Sequence, residues 1–354
     1  MNKVRVLIVD DSALMRQLLT AILSSDPSIE VIGSAADPVA ARTKIEALRP
    51  DVMTLDIEMP KMDGLTFLEQ LMQSRPMPVV MVSSLTQQGC DVALRALALG
   101  AVDVVAKPKI DVSRGMSEAG TELVGKVKAA ARARVRTHAP KPSAHSLAPG
   151  GMLRTTQKLI AIGSSTGGTE ALSYMLSRLP ADAPPIVIVQ HMPPVFTRQF
   201  AQRLDGICRV DVKEAENGDA LIRGRVLIAP GGVCHIEVVR SGAAYCVRFV
   251  DGPPIGHHRP SVDVLFESCA RVAGPNATGV ILTGMGHDGA KGLLAMRKAG
   301  ATTFAEDESS CVVFGMPKEA IACGAAQHVV PLERMAKAML YGHETTMQMM
   351  EDGR

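Results

Sequence analysis

The chain of 354 residues has no tryptophan, three tyrosines and seven phenylalanines. So sparse an aromatic set offers little for stacking nucleic-acid bases. A formal net charge of +2 gives no broad basic footprint for phosphate backbones. Long apolar runs are missing too: no stretch approaches the ~18 residues that a membrane span needs. The N-terminus, MNKVRVLIVDDS, meets acids straight after a short apolar run, unlike a signal peptide. A chain without membrane insertion is expected. The seven cysteines are odd in number, scattered, and never spaced C-x-x-C. That pattern fits a reduced, cytoplasmic compartment and argues against structural zinc. One further lack is local: residues 123–169 contain no Asp and no Glu.

What is present is ordinary globular material, 47% apolar and 21% charged, long enough for two cores. Residues 1–122 alternate strand-like and helix-like stretches. Val4–Val9 is an apolar run broken only by Arg5, and Leu14, Leu18, Leu19, Ile22 and Leu23 follow at helical spacing. Further strands are expected at 31–35, 52–55, 79–82 and 102–106. Five β/α units with mostly apolar strands predict a doubly wound parallel sheet covered on both faces. Next, 123–153 reads as the end of a basic helix, taken as solvated, followed by a flexible linker. Its core, 137–151 (THAPKPSAHSLAPGG), is rich in Pro, Ala, Ser and Gly. A second α/β domain is expected over 154–350. Its strands are placed at 159–162, 186–189, 210–213, 226–229, 280–282, 302–305 and 328–330. Two runs, VCHIEVV and YCVRFV, flank Arg240-Ser-Gly-Ala, a hairpin signal. The second domain is therefore expected as a mostly parallel sheet with an antiparallel hairpin insertion.

In such sheets the carboxyl ends of the strands gather on one edge, where ligands bind. Asp10 and Asp11 end the first strand, Asp56 ends the third and Lys107 follows the fifth. Three converging carboxylates repel one another unless a hard cation neutralises them, and Mg2+ fits. One carboxylate is then free to act as nucleophile toward a phosphoryl group. Lys107 and the Ser83 hydroxyl, with neighbouring Ser84 as its rival, would support the product.

In the second domain, Gly163-Ser-Ser-Thr-Gly167 follows a strand and precedes a helix expected near Glu170. A G-x-S-x-G elbow requires that context, and it places a nucleophile at Ser165. A Ser/Thr/Gly turn is also a common helix cap. Serine needs a base, and His191 lies just past the next strand. Asp288, in Gly284-Met-Gly-His-Asp-Gly289, lies just past another, with Asp263 and Asp307 as rivals. Triads are recognised by geometry rather than chain order.

Residues ~3–120 resemble the response-regulator receiver family through VLIVDDSALMR, LDIEMPKMDG, VMVSS and AKP. The resemblance implies phosphorylation of Asp56 by a histidine kinase of chemotaxis. It implies Mg2+ held by Asp11, Asp56 and the Glu58 backbone carbonyl, with Asp10 bound through water. Residues ~155–345 resemble the catalytic domain of the chemotaxis protein-glutamate methylesterase family, through AIGSSTGGTEAL, VQHMPPVFT, APGG, RPSVDVLF and ILTGMGHDGAKG. That resemblance carries the triad onto Ser165, His191 and Asp288 and an oxyanion donor onto the backbone of Met285. The residue-after-the-nucleophile rule adds the Thr166 N–H. Implied activities are demethylation of glutamate methyl esters and deamidation of glutamines on chemoreceptor cytoplasmic helices. The hydrolase site would need no cofactor, and the protein would act as a monomer without nucleic acid. The resemblance further implies that the unphosphorylated receiver restrains the hydrolase.

Three alternatives to a hydrolase exist, one of them a DNA-binding output domain, although the second half shows no helix-turn-helix-sized unit. Gly284, Gly286 and Gly289 spell G-x-G-x-x-G, a dinucleotide fingerprint, although Asp288 would set a carboxylate against the pyrophosphate. A non-catalytic interaction domain under receiver control is the third. His257 and His258 could line a cleft but read equally as exposed loop residues, and Arg259 and Ser261 read as orienting a loop or capping a helix near Val262.

Overall fold

The computed structural model describes residues 3–59, 63–84, 86–108, 115–134 and 158–342. The chain divides into two compact units, Met1–Ala139 and Pro140–Arg354. The stretch expected as linker, 137–151, lies outside the described residues.

In the first unit five strands, β1 (Val4–Val9), β2 (Ile29–Ala35), β3 (Val52–Asp56), β4 (Val79–Ser83) and β5 (Asp103–Ala106), alternate with α1 (Ala13–Ser24), α2 (Pro38–Leu48), α3 (Gly64–Ser74), α4 (Gln87–Ala98) and α5 (Gly115–Ala130). The strands pair in parallel in the order β2-β1-β3-β4-β5. β3 and β4 are buried along their whole length, as the continuous apolar runs require. Side-chain caps start the helices: Ser12, Asp37, Asp63 and Thr86 each accept a first-turn N–H.

The basic helix end departs from its expected solvated character. Lys126 is buried, and its ammonium meets Asp103 at 3.1 Å, Glu122 at 3.0 Å and the Val104 carbonyl at 2.7 Å. Burial alone would lower its pKa, but the two carboxylates raise it above the usual lysine value. Helical periodicity puts Lys126 four residues after Glu122; only the fold brings Asp103 to both.

The second unit opens with β6 (Leu159–Ser164), α6 (Gly168–Leu176), β7 (Ile186–Gln190), α7 (Phe196–Asp205), β8 (Asp211–Glu214) and β9 (Arg225–Ile228). It continues with β10 (His235–Ser241), β11 (Ala244–Val250), α8 (Val262–Val272), β12 (Ala277–Ile281) and α9 (Ala290–Lys298). It closes with β13 (Thr302–Glu306), α10 (Met316–Ala322), β14 (His328–Val330) and α11 (Leu332–Tyr341). Seven strands form one parallel sheet in the order β14-β13-β12-β6-β7-β9-β8. The hairpin β10-β11 is antiparallel and stands as a separate two-stranded sheet. β6, β7 and the core of α8 are buried, with Phe266, Leu265 and Leu293 packed in one cluster.

The topology reverses around β6: its two neighbours are β7, the next strand, and β12, reached after five intervening strands. A crevice outside the carboxyl ends opens at such a switch point. Ser165 leaves β6 there, His191 leaves β7, and the loop bearing Asp288 leaves β12.

Candidate functional sites

On the first unit, the strand ends bring Asp10, Asp11 and Asp56 together, with one carboxylate oxygen of each within 4.8 Å of the others. Asp10 and Asp56 are buried and Asp11 is exposed. Lys107 reaches Asp56 at 2.8 Å and Asp10 at 3.9 Å. Burial, then the neighbouring Asp56 charge, raises Asp10 from 3.8 to about 6. Burial also raises Asp56, against the pull of Lys107. Backbone N–H groups support both: Ser12 donates to Asp10 Oδ1 and Glu58 to Asp56 Oδ1. Asp10 Oδ2 is buried without a hydrogen-bond partner. A single lysine does not balance three carboxylates, and an orphaned carboxylate oxygen is costly. This donor set of hard oxygens suits Mg2+.

The structure turns the Ser83 hydroxyl to the backbone carbonyls of Ser84 and Gly89, at 3.1 and 3.2 Å. The neighbouring Ser84 hydroxyl donates to the Glu58 carboxylate at 2.9 Å. Ser83 thus sits at the end of β4 with its hydroxyl engaged by backbone carbonyls.

In the second unit the turn carrying Ser165 is held from three sides. Ser165 is nearly buried. Its N–H donates to the Thr283 carbonyl at 3.0 Å, and its carbonyl accepts from Gly168 at 2.7 Å. Gly167 follows with φ +78°, where a Cβ would come within 2.5 Å of Val312. The tight turn needs glycine there on both counts. The helix expected near Glu170 begins two residues earlier, at Gly168. Gln190, the polar last residue of an apolar strand, accepts from Ser164 Oγ at 2.6 Å. Its amide donates to the carbonyls of Ser165 at 2.9 Å and His191 at 3.3 Å.

Asp288 meets His191: Nε2 lies 2.9 Å from Oδ2, and both side chains are buried. The other ring nitrogen, Nδ1, is buried without a partner. The ring is therefore presented the opposite way from the template in which the acid holds Nδ1. Asp288 sits at the N-terminus of α8. It accepts from the Ser261 hydroxyl at 2.8 Å, Val262 N–H at 2.8 Å and Asp263 N–H at 3.1 Å. Burial would raise its pKa. The His191 bond and charge and these N–H donors outweigh burial and hold the carboxyl well below the usual range.

The rival acids are engaged elsewhere. Asp263 accepts from the Gly292 N–H at 2.7 Å, and Asp307 binds Ser309. Ser261 occupies the N-cap position of α8 yet makes no side-chain bond to the helix. Its hydroxyl serves Asp288 instead, which corrects the reading of a simple cap. Gly284, at the head of the Met285 loop, packs so close that a Cβ there would come 2.8 Å from the Ser165 Cβ. The Met285 N–H, beside it, has no hydrogen-bond partner among the described residues. Thr166 is buried, and its carbonyl accepts from the Thr283 hydroxyl at 3.0 Å.

Residues that the sequence reading gave no part in the hydrolase site are Gln190, Thr283 and Glu306, the last read there only as the acid of a dinucleotide fingerprint. Buried Glu306 accepts from the Thr283 N–H at 2.8 Å and from Ser310 Oγ at 2.9 Å, steadying the backbone that holds Ser165. The available signal was a polar residue closing each apolar strand, IVIVQ and TTFAE.

Fold and sites together define a class: a five-stranded receiver carrying an acidic pocket, joined to a parallel α/β hydrolase. Residues 160–339 match the CheB methylesterase family, and 6–114 match the response regulator receiver domain. The chain belongs to the CheB methylesterase family. It is 56% identical over 348 residues to "Protein-glutamate methylesterase/protein-glutamine glutaminase 3" of Burkholderia lata, covering 96% of this chain and 95% of that one. It is 57% identical over 345 residues to the protein numbered 1 of that name in Geobacter metallireducens, covering 95% of each. The solved CheB methylesterase catalytic domain of Thermotoga maritima is 40% identical. It spans 52% of this chain and 98% of its own, with a TM-score of 0.51. The dinucleotide alternative finds no favour: Asp288 fills the fingerprint loop and is tied to His191.

Proposed function

We propose that this protein is a phosphorylation-activated hydrolase of chemotaxis adaptation, acting on glutamate methyl esters and specific glutamines of chemoreceptor helices. The observation that carries the reading is the His191–Asp288 pair, anchored by α8 and leaving Nδ1 unpartnered at the switch point where Ser165 lies. The full-length likeness to methylesterase/glutaminases supports it.

In this reading His191 Nδ1 takes the Ser165 proton as Oγ attacks the δ-carbonyl of the side chain. Asp288 fixes the tautomer with the proton on Nε2 and stabilises the imidazolium. The Met285 and Thr166 N–H groups hold the tetrahedral oxyanion, each worth ~10²–10³ in turnover. The C–O or C–N bond then breaks, His191 protonates the departing methanol or ammonia, and water hydrolyses the acyl-serine.

On the receiver, Asp56 attacks a phosphoryl group carried by a histidine kinase, and an acyl phosphate forms as the P–N bond breaks. Lys107 pairs with the product's charge. Asp11, Asp56 and the Glu58 carbonyl would hold Mg2+, with Asp10 through water, offsetting the charge of the phosphoryl oxygens. Ser83 would swing its hydroxyl toward the phosphoryl group. We place the protein in the cytoplasm as a monomer. No helix among the described residues is long and apolar enough to cross a membrane.

Methanol release from methylated receptor membranes tests the reading. Ser165→Ala should lose at least ~10⁴-fold; release that persists sinks the nucleophile. Asp56→Asn should abolish stimulation by a small phosphodonor. If it does not, and deletion of residues 1–152 fails to raise activity, receiver inhibition is wrong.

A further inference from the structure

One histidine outside the triad lies directly on it. The His258 ring stacks on His191 with centroids 3.7 Å apart and planes 3° from parallel. We propose that His258 is a positioning residue: its stacked ring fixes the plane of the His191 imidazole, and with it the direction of Nδ1. The inference rests on the reading of Ser165, His191 and Asp288 as a triad.

A nitrogen accepts a proton along its in-plane lone pair. The bond to Asp288 pins one ring atom, at Nε2, but a single bond of 2.9 Å leaves the ring free to tilt about it. A flat neighbour against the whole face removes that freedom. Rings stacked face to face do not present nitrogens to each other, so the contact offers no hydrogen bond and no proton path between them. Orientation is what it can supply.

The segment carrying His258 is built to hold it still. Ile255 and His258 exchange two backbone hydrogen bonds, at 3.0 and 2.9 Å. The two residues between, Gly256 and His257, have φ of +57° and +73°, the left-handed pair of a type I′ turn. The next residue, Arg259, donates its guanidinium to the carbonyls of Gly252 and Gly232, and its own carbonyl accepts from the Gly232 N–H. Two residues further, Ser261, Val262 and Asp263 grip the Asp288 carboxylate. One continuous stretch, 255–263, therefore presses on the face of the base and holds the acid. Misplacement by an ångström can cost ~10²-fold in rate.

The test uses the intact chain, stimulated by phosphodonor, with two readouts. Methanol release from receptor membranes gives kcat and KM; inactivation by a fluorophosphonate reports serine activation without receptor docking. His258→Ala should lower kcat and the inactivation rate together, by ~10–100-fold, with KM within about twofold. His258→Phe, which keeps a stacking face and no titratable group, should hold both rates within about threefold of the starting protein. Melting curves establish that each variant is folded, and His258→Asn replaces the alanine variant should that one unfold. The inference is overturned if truncation leaves both rates unchanged, if only KM moves, or if phenylalanine is as slow as alanine. His191→Ala separates the underlying reading: full activity in that variant defeats the triad itself, whereas loss there with no effect at 258 defeats only the positioning role.

Discussion

Two sheet edges in this chain solve opposite electrostatic problems with the same architecture. Each places carboxylates at the carboxyl ends of parallel strands. On the receiver, three acids face one lysine, and Asp10 is driven up to about 6 by burial and by Asp56. On the hydrolase, one acid faces an imidazole, a hydroxyl and two helix N–H groups, and its pKa falls. The first edge is short of positive charge, an arrangement compatible with a bound cation. The second is saturated, and so fixes the imidazole of His191. Carboxylate number matters less than the donors the fold supplies.

The largest expected effect attacks the saturated edge. Asp288→Asn turns an amide NH₂ toward donors that need an acceptor and lets His191 take the wrong tautomer. Methanol release should fall ~10⁴-fold, and a fall below tenfold would show that the acid is not the anchor. Next comes a buried charge on the receiver unit. Lys126→Met strips Asp103 and Glu122 of their shared partner, and urea unfolding should show a loss of about 2–4 kcal/mol in that unit. An unchanged midpoint would mean that the pair contributes nothing net.

Acid titration should separate the two edges by sign, in metal-free buffer. Asp10 in the folded state binds a proton more tightly than in the unfolded state. Its contribution therefore favours folding below about pH 4 and is lost as pH rises from about 4 to about 6. Asp10→Asn should accordingly stabilise the receiver above pH 6, by up to about 3 kcal/mol at about 1.4 kcal/mol per pH unit. The advantage should vanish below pH 4. Asp288 behaves oppositely: its contribution is present above about pH 4 and fades as pH falls further. Parallel trends in Asp10→Asn and Asp288→Asn would collapse the contrast. The smallest expected effect is Ser261→Ala, which removes one of the donors around Asp288. A kcat loss of about tenfold is expected, read by methanol release with KM unchanged.

Much of this was legible in the sequence, for a physical reason. A parallel strand buried on both faces must be an apolar run, so strands announce themselves, and the polar residue that ends each run stands on the functional edge. That logic put Asp10, Asp56, Lys107, Ser165 and His191 at strand ends, with strand boundaries at most three residues off. It was weaker for Lys126, whose charge suggested solvent while the fold buried it against Asp103. It was weaker again for Ser261, where a helix-cap residue type concealed a bond to Asp288.

The sequence by itself determined the α/β alternation, the two-unit organisation expected of the chain, the residue types at the strand ends and, by resemblance, the family. Only the tertiary structure decided which way His191 turns its ring, that α8 offers its N-terminus to Asp288, and that His258 covers the face of the His191 ring. Those contacts join residues far apart in the chain, His191 and Asp288 being 97 positions apart. Periodicity reports only what a residue's near neighbours do. The angle of a ring is set by atoms that meet it after the strands have been ordered β12-β6-β7.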